Sequence, residues 1–519
     1  MKLTYIKTPR IVNSICMMLL ILTIVSCNDK WDEHYNDNGE NGNDRNIIEY
    51  LKSNDDLNLF VEMLEITGYA DTLKKTQAFT VFAPVNESLQ EVDMTDMDML
   101  KKIVSNHIAK NTHSASAGSQ ELLLMSNKKY LLLESDAIQG KSIRTPNIRT
   151  KNGVVHVLDK YVPYVYNIWE YIQYQEGLDS LRTYVNSLTK LVFNEEASFD
   201  SDNIFIDSIF KEQNNVIDLL GYINDEDYSY TAILPTNTAW NDMYGKLFSY
   251  YKSTDKKEGN VIVQDGLSRQ KERTKWAIIQ DFIFRKEITV PTEKDTLSST
   301  NGNIFYNPDY LFEGLTPYKV SNGLCYVTDL LRNKPEESWT KTIIQEAEYN
   351  EYGLVSIKNS KNKGYYRSTQ ASKGYYIRLE ELSTSSLDKI SISFPIVNTL
   401  SGLKYNIYCG MVPTSFIDPT DLRPYKVDFY LSYVRENGIL SESKVNSTSV
   451  TVNIDQITNV LVAENFEFPY CSLLESTDYT NEIKVFLRIE NAATPSEERQ
   501  GKFSRNLAFD YIMLKPVID

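Results

Sequence analysis

Apolar positions along this chain keep four different rhythms, and each predicts a different kind of structure. Residues 11–26 carry no charge and include the unbroken apolar run 15–22. Residues 28–46 are dominated by Asn, Asp, Glu and Gly, too polar to bury the apolar area that would offset ordering entropy, so a flexible segment is expected. From residue 47 onward, helix-spaced apolar positions alternate with short runs of apolar and β-branched residues. Leu51, Phe60, Met63 and Leu64 predict a helical stretch over 47–66, and Ile172, Leu178, Leu181 and Val185 predict one over 168–188. Leu100, Ile103, Val104 and Ile108 extend the same spacing over 97–110, and 274–285 reads likewise. Beyond about residue 349 the period falls to two, in runs at 375–380, 390–394, 427–433, 449–454, 483–489 and 509–514. Short alternating runs separated by turn residues predict an all-β sandwich of jelly-roll size.

Two blocks of sequence occur twice, in the same order. Phe79-Thr80-Val81-Phe82-Ala83-Pro84-Val85-Asn86 returns as Tyr230-Thr231-Ala232-Ile233-Leu234-Pro235-Thr236-Asn237. Asn152-Gly153-Val154-Val155-His156-Val157-Leu158-Asp159 returns as Asn322-Gly323-Leu324-Cys325-Tyr326-Val327-Thr328-Asp329. Each first block reads as a strand stopped by Pro84 or Pro235, with Asn86 or Asn237 placed to cap a following helix. Each second block reads as an Asn-Gly turn followed by a strand.

These blocks resemble the two signature motifs of fasciclin domains, carried here by Thr80, Phe82, Pro84, Asn86, Asn152, Gly153, His156 and Asp159. The second copy keeps Thr231, Pro235, Asn237, Asn322, Gly323 and Asp329 and is the more degenerate. The resemblance implies two α+β fasciclin domains at 47–166 and 167–337, ahead of the all-β domain at 338–519. It further implies roles in adhesion and extracellular binding, without catalysis. The closing run Phe509-Asp510-Tyr511-Ile512-Met513-Leu514 is similar to the last strand of galactose-binding-like jelly rolls. Within the second copy, the charged, Asn-rich stretch 193–225 is expected to be an insertion or loop.

The N-terminus sets the expected location. Lys2, Lys7 and Arg10 precede the apolar run, which is too short to span a ~30 Å hydrocarbon core as a helix of ~20 residues and so reads as a signal peptide at 1–26. Ile24-Val25-Ser26-Cys27 resembles a bacterial lipobox, implying acylation of Cys27; an ordinary signal peptide with an incidental cysteine is the competing reading. Residues 27–46 then form a lipidated, acidic stalk, and its acids resemble a surface-export signal of Gram-negative lipoproteins. An outer-membrane lipoprotein, lipid-anchored and facing the cell exterior, is expected, with a periplasm-facing one as the alternative.

Composition narrows the chemistry. The 519 residues carry 54 Lys+Arg against 70 Asp+Glu, a net charge of −16, and no basic stripe that could neutralise phosphates, which excludes nucleic acid as a partner. Cys325, Cys409 and Cys471 contain no CxxC and cannot frame a zinc site; at most Cys409 and Cys471 could pair. In the repeat, Phe282 stands in for His107 and Tyr326 for His156, so a metal or general-base role common to both copies is excluded. No HExxH, GxSxG, GxGxxG or P-loop occurs. No cofactor and no metal is therefore expected, and the chain reads as a non-enzyme. Paired carboxylates for glycan cleavage in the sandwich remain the less favoured alternative. Tyr365, Tyr366, Tyr375 and Tyr376 are candidate ligand contacts, because neighbouring strand side chains face opposite sides and one ring of each pair should point outward. Half-buried strand packing is the competing reading of each. Similar lipoproteins accompany Sus-like nutrient uptake, so a TonB-dependent transporter, its lipoprotein partner and a glycan are the expected partners, with adhesion or matrix binding as the alternative.

Overall fold

The computed structural model describes residues 44–118, 120–200, 203–289, 295–382, 387–416, 419–452, 454–474 and 482–518. The signal segment, Cys27 and the stalk up to residue 43 lie outside the described residues. The chain divides into two compact units between Val165 and Tyr166. Among the described residues no helix is long and apolar enough to cross a membrane.

The first unit is built on one pair of strands. The opening strand Phe79–Pro84 runs parallel to the closing strand Gly153–Leu158, in register from Phe79 opposite Gly153 to Pro84 opposite Leu158. Strand Ile108–Lys110 pairs antiparallel on its other edge. Both long strands are buried along their whole length, which is why they read as continuous apolar runs and not as alternating ones. On one face Val81, Ala83, Val155 and Val157 pack against the helices Ile47–Lys52, Asn58–Ile66 and Met97–Ser105. On the other, Phe82 and Leu158 join Leu123, Leu133 and Ile138.

The predicted helical stretches are present but divided. The 47–66 stretch breaks where the Asn54 side chain accepts from the Asp56 backbone N–H, at 3.1 Å, and starts a 3-10 turn. The 168–188 stretch separates into Ile168–Tyr174 and Asp179–Ser187, with Gly177 at φ +80° between them. The last residues of the other two leave the helix altogether: Ile108–Lys110 and Ile283–Arg285 are strands on the opening strands' free edges. Short apolar runs fit either period, and pairing with a buried neighbour decides between them.

The second unit repeats the arrangement. Tyr230–Pro235 runs parallel to Gly323–Thr328, Tyr230 opposite Gly323 and Pro235 opposite Thr328, with Ile283–Arg285 antiparallel beside it. The C-terminal strands form a sandwich of two sheets. One holds Ser360–Arg367, Tyr375–Glu381, Leu507–Pro516, Lys404–Met411 and Thr458–Glu467; the other holds Ser356–Lys358, Ser391–Ile396, Val485–Asn491, Tyr425–Val434 and Leu440–Lys444. Each predicted period-2 run coincides with one of these strands or with Val450–Val452. The architecture is thus α+β followed by all-β. Residues of the second repeat and of the sandwich belong to one continuous apolar core. Backbone bonds from Ser401 to Tyr250 (2.9 Å) and from Cys471 to Lys252 (2.8 Å) cross between the two.

The 193–225 stretch contributes structure instead of a bare loop. Thr189–Phe193 pairs antiparallel with Phe210–Asn214, leaving Leu191, Phe193, Phe205, Ile206 and Phe210 exposed.

Candidate functional site

Within each repeat the signature Asn and Thr residues make corresponding bonds. Asn152 accepts from the Ile47 N–H (2.9 Å) and donates to the carbonyls of Leu73 (2.6 Å) and Lys75 (3.1 Å). Asn322 does likewise with Ile168 (2.9 Å), Ile223 (2.9 Å) and Asp225 (3.2 Å). The Thr80 hydroxyl donates to the Asn111 carbonyl and accepts from the His113 N–H, as Thr231 does with Lys286 and Ile288. Asp159 pairs with Arg144 at 2.6 Å, whereas Asp329 accepts from the Thr236 hydroxyl at 2.6 Å.

The expected caps are a correction. Asn86 and Asn237 lie one residue inside their helices, whose caps are Val85 and Thr236. Each amide instead reaches a neighbouring helix start: Asn86 accepts from the Leu59 N–H (2.9 Å) and Asn237 from the Ser180 N–H (2.8 Å). An inter-element contact thus replaces the local one.

His107 and His156 are packed in the interior. Burial pushes His107 down to about 4; its Nδ1 donates to the Ile103 carbonyl and its Nε2 accepts from the Val162 N–H. His156, lowered by burial, accepts from Asn147 N–H and donates to the His113 carbonyl while stacked on Phe82. In the second repeat the Tyr326 hydroxyl makes the corresponding bond, to Ile288 at 2.7 Å. Cys325, Cys409 and Cys471 are buried free thiols.

The four candidate tyrosines do not converge on a site. Tyr366 and Tyr376 stack on each other, with ring centroids 5.8 Å apart, inside a small cluster with Ala371, Val412 and Ala508. Tyr376 is only 2% exposed, so as a ligand contact it is corrected; Tyr366, its half-buried cross-strand partner, is set beside it by the strand pairing. Tyr365, 47% exposed, lies under Lys363, and the Tyr375 hydroxyl accepts from Arg367 at 2.8 Å.

A cleft of about 1060 Å³ opens instead between the second repeat and the sandwich, at the upper end of the ~300–1,000 Å³ typical of small-ligand sites. Helix Gly266–Ile279 and the residue after it give it Glu272, Arg273, Trp276 and Gln280; the connector gives Trp339 and Lys341, and strand Ile343–Glu346 gives Glu346. Tyr349, Tyr352 and Asn398 come from the sandwich side. Its lining residues Asn303 and Ser338 belong to a buried network in which Asp281 accepts from Ser299 (2.7 Å), Asn303 (2.7 Å) and Ser338. Trp339 is fixed by its indole N–H on the Ala277 carbonyl at 2.9 Å. No single stretch of sequence contains this site, and the only local signal was the aromatic and acidic character of 339–352.

Behind Glu346 lies a carboxylate group. The Ser372 hydroxyl donates to Glu346 Oε1 (2.7 Å), and the Ser372 N–H donates to Asp510 Oδ2 (2.9 Å). Glu346 Oε2, Asp510 Oδ1 and both oxygens of Glu348 are buried without a hydrogen-bond partner. Burial, with repulsion from Glu346 and Glu348 added, pushes Asp510 up to about 7; Glu348 is raised by burial and by Glu346. Among the described residues no three His, Cys, Asp or Glu side chains are arranged to hold a metal ion. Proton uptake at Asp510 is therefore the relief the geometry offers.

Residues 55–162 match the fasciclin domain family. No curated protein matches the chain. Among solved structures, the chain is similar to a FAS1 domain pair from the insect cell adhesion molecule fasciclin I, at 13% identity, covering 55% of this chain and 98% of that one, with a TM-score of 0.20. It is also similar to the CBM22-1 xylan-binding domain of Paenibacillus barcinonensis Xyn10C, at 11% identity, 35% and 95% coverage and a TM-score of 0.20. A third is a carbohydrate esterase from the Shiga toxin-encoding bacteriophage phi24B, at 8% identity, 35% and 99% coverage and a TM-score of 0.17. Overlaps this low carry no argument about ligand or activity.

Proposed function

We propose that this protein is a surface-exposed, lipid-anchored binding module of the outer membrane that serves as an accessory to a Sus-like, TonB-dependent glycan or nutrient uptake complex. The observation that carries the binding reading is the cleft, a concavity of ligand size lined by two tryptophans, tyrosines and amides and formed by two domains together. Cys27, at the end of an apolar leader and followed by an acidic stalk, supplies the anchor. Several acyl chains at ~0.8 kcal/mol per buried CH₂ make such attachment durable. Binding proceeds without turnover: ligand enters, is held, and is passed on.

The test is purification from outer membranes in mild detergent, with a Cys27→Ala control. A transporter and its lipoprotein partner should come down with the wild type and be lost from the control. Recovery of the protein alone would sink the uptake role. Adhesion or matrix binding is the second reading, favoured by the fasciclin match at 55–162, and it predicts that cells displaying the protein adhere to a matrix that Cys27→Ala cells do not. Products shortened on incubation with glycans would overturn the non-catalytic part of the proposal.

A further inference from the structure

We infer that the cleft takes a neutral or amino-substituted oligosaccharide and rejects anionic glycans, an inference that rests on the binding reading above and names its ligand class. The lining offers both surfaces that a sugar chain presents. Trp276, Trp339 and Tyr349 supply flat apolar area for the C–H faces of pyranose rings, and Gln280, Asn301 and Asn398 supply amides for the hydroxyl edges. At about 1060 Å³ the space holds several rings.

Charge sets the selectivity. Glu346 is 6% exposed, and its Oε2 lacks a hydrogen-bond partner. The acids that line the cleft, Glu272, Glu346 and Glu351, outnumber its cations, Arg273 and Lys341, so a uronate or sulfate meets a wall of its own sign that a neutral or amino sugar does not. The two cations of the lining are both engaged by protein groups. Arg273 donates to Ser253 Oγ (2.9 Å), Cys471 Sγ (3.0 Å) and the Leu473 carbonyl (3.5 Å), and Lys341 donates to Asn303 Oδ1. An anionic ligand thus meets more carboxylates than cations, and those cations already have protein acceptors.

The experiment is calorimetric titration of the full chain with neutral hexasaccharides of glucose, xylose and mannose, a glucosamine hexamer, and a galacturonate hexamer. At least one neutral or amino sugar should bind, and galacturonate should bind at least about tenfold more weakly. Tyr349→Ala, at a site 55% exposed and therefore safe for folding, should weaken the preferred sugar about five- to tenfold. Glu346→Gln keeps the shape and should shrink the penalty on galacturonate. Galacturonate binding as tight as any neutral sugar, the absence of all hexasaccharide binding, or indifference to Tyr349→Ala each overturns the inference. If sugars fail to bind while the transporter co-purifies, this inference falls alone; if sugars bind and no transporter appears, the uptake role falls alone.

Discussion

A β-carbon on Gly153 would sit 1.9 Å from the Phe79 carbonyl oxygen, and one on Gly323 would sit 1.8 Å from that of Tyr230. Both glycines have φ +150°, so the closing strand begins where the opening strand's backbone leaves no room for any side chain. Gly153→Ala or Gly323→Ala should cost at least about 3 kcal/mol in urea unfolding. Gly245→Ala, in a helix with open space around it, should instead gain about 0.5–1 kcal/mol. Asp510 gives a pH signature. Its folded pKa, about 7, lies above the ordinary value near 4, so between these pH values the folded state holds a proton that the unfolded chain has released. Stability therefore falls as pH rises through that window and levels off above it. Asp510→Asn keeps an acceptor for the Ser372 N–H, and should flatten this slope and raise Tm at pH 8. The glycines were visible in the repeat because their chemistry is local. The Asp510 environment was not, since its neighbours come from residues 346, 348 and 372.

At the scale of elements, each signature asparagine ties a helix start to a strand end. Asn322 closes three bonds to Ile168, Ile223 and Asp225, all in buried or half-buried surroundings. Asn322→Ala leaves one N–H and two carbonyls without their partner and should destabilise by about 2–4 kcal/mol, read as a lower chemical midpoint with unchanged slope. Tyr326→Phe should cost less, about 1 kcal/mol, because it removes only the hydroxyl's bonds. The strands were legible from apolar runs and the helices from their spacing. Their ends were not, because the edge strands Ile108–Lys110 and Ile283–Arg285 are set by pairing with strands far along the chain, while Asn54 and Gly177 break their helices locally inside an unbroken apolar spacing. The Asn86 and Asn237 side chains show the same limit: the residue type suits a cap, and tertiary contact gave it a different donor.

For the whole molecule, the contiguous core of the second repeat and the sandwich predicts that they melt together. Differential scanning calorimetry of the full chain should resolve two transitions, one for residues up to Val165 and one for those from Tyr166; three separated transitions would refute a shared core. The sequence by itself determined the repeat, the signature strands and the all-β character of the C-terminal third. Each depends on residue type and on period along the chain, which a linear reading contains. Only the tertiary structure decided that the candidate tyrosines Tyr366 and Tyr376 pack on each other, and that Trp276, Trp339, Glu346 and Tyr349 meet in one cleft. Those outcomes depend on which surfaces become neighbours when two domains bury a common core, and that is set by packing between segments distant in sequence.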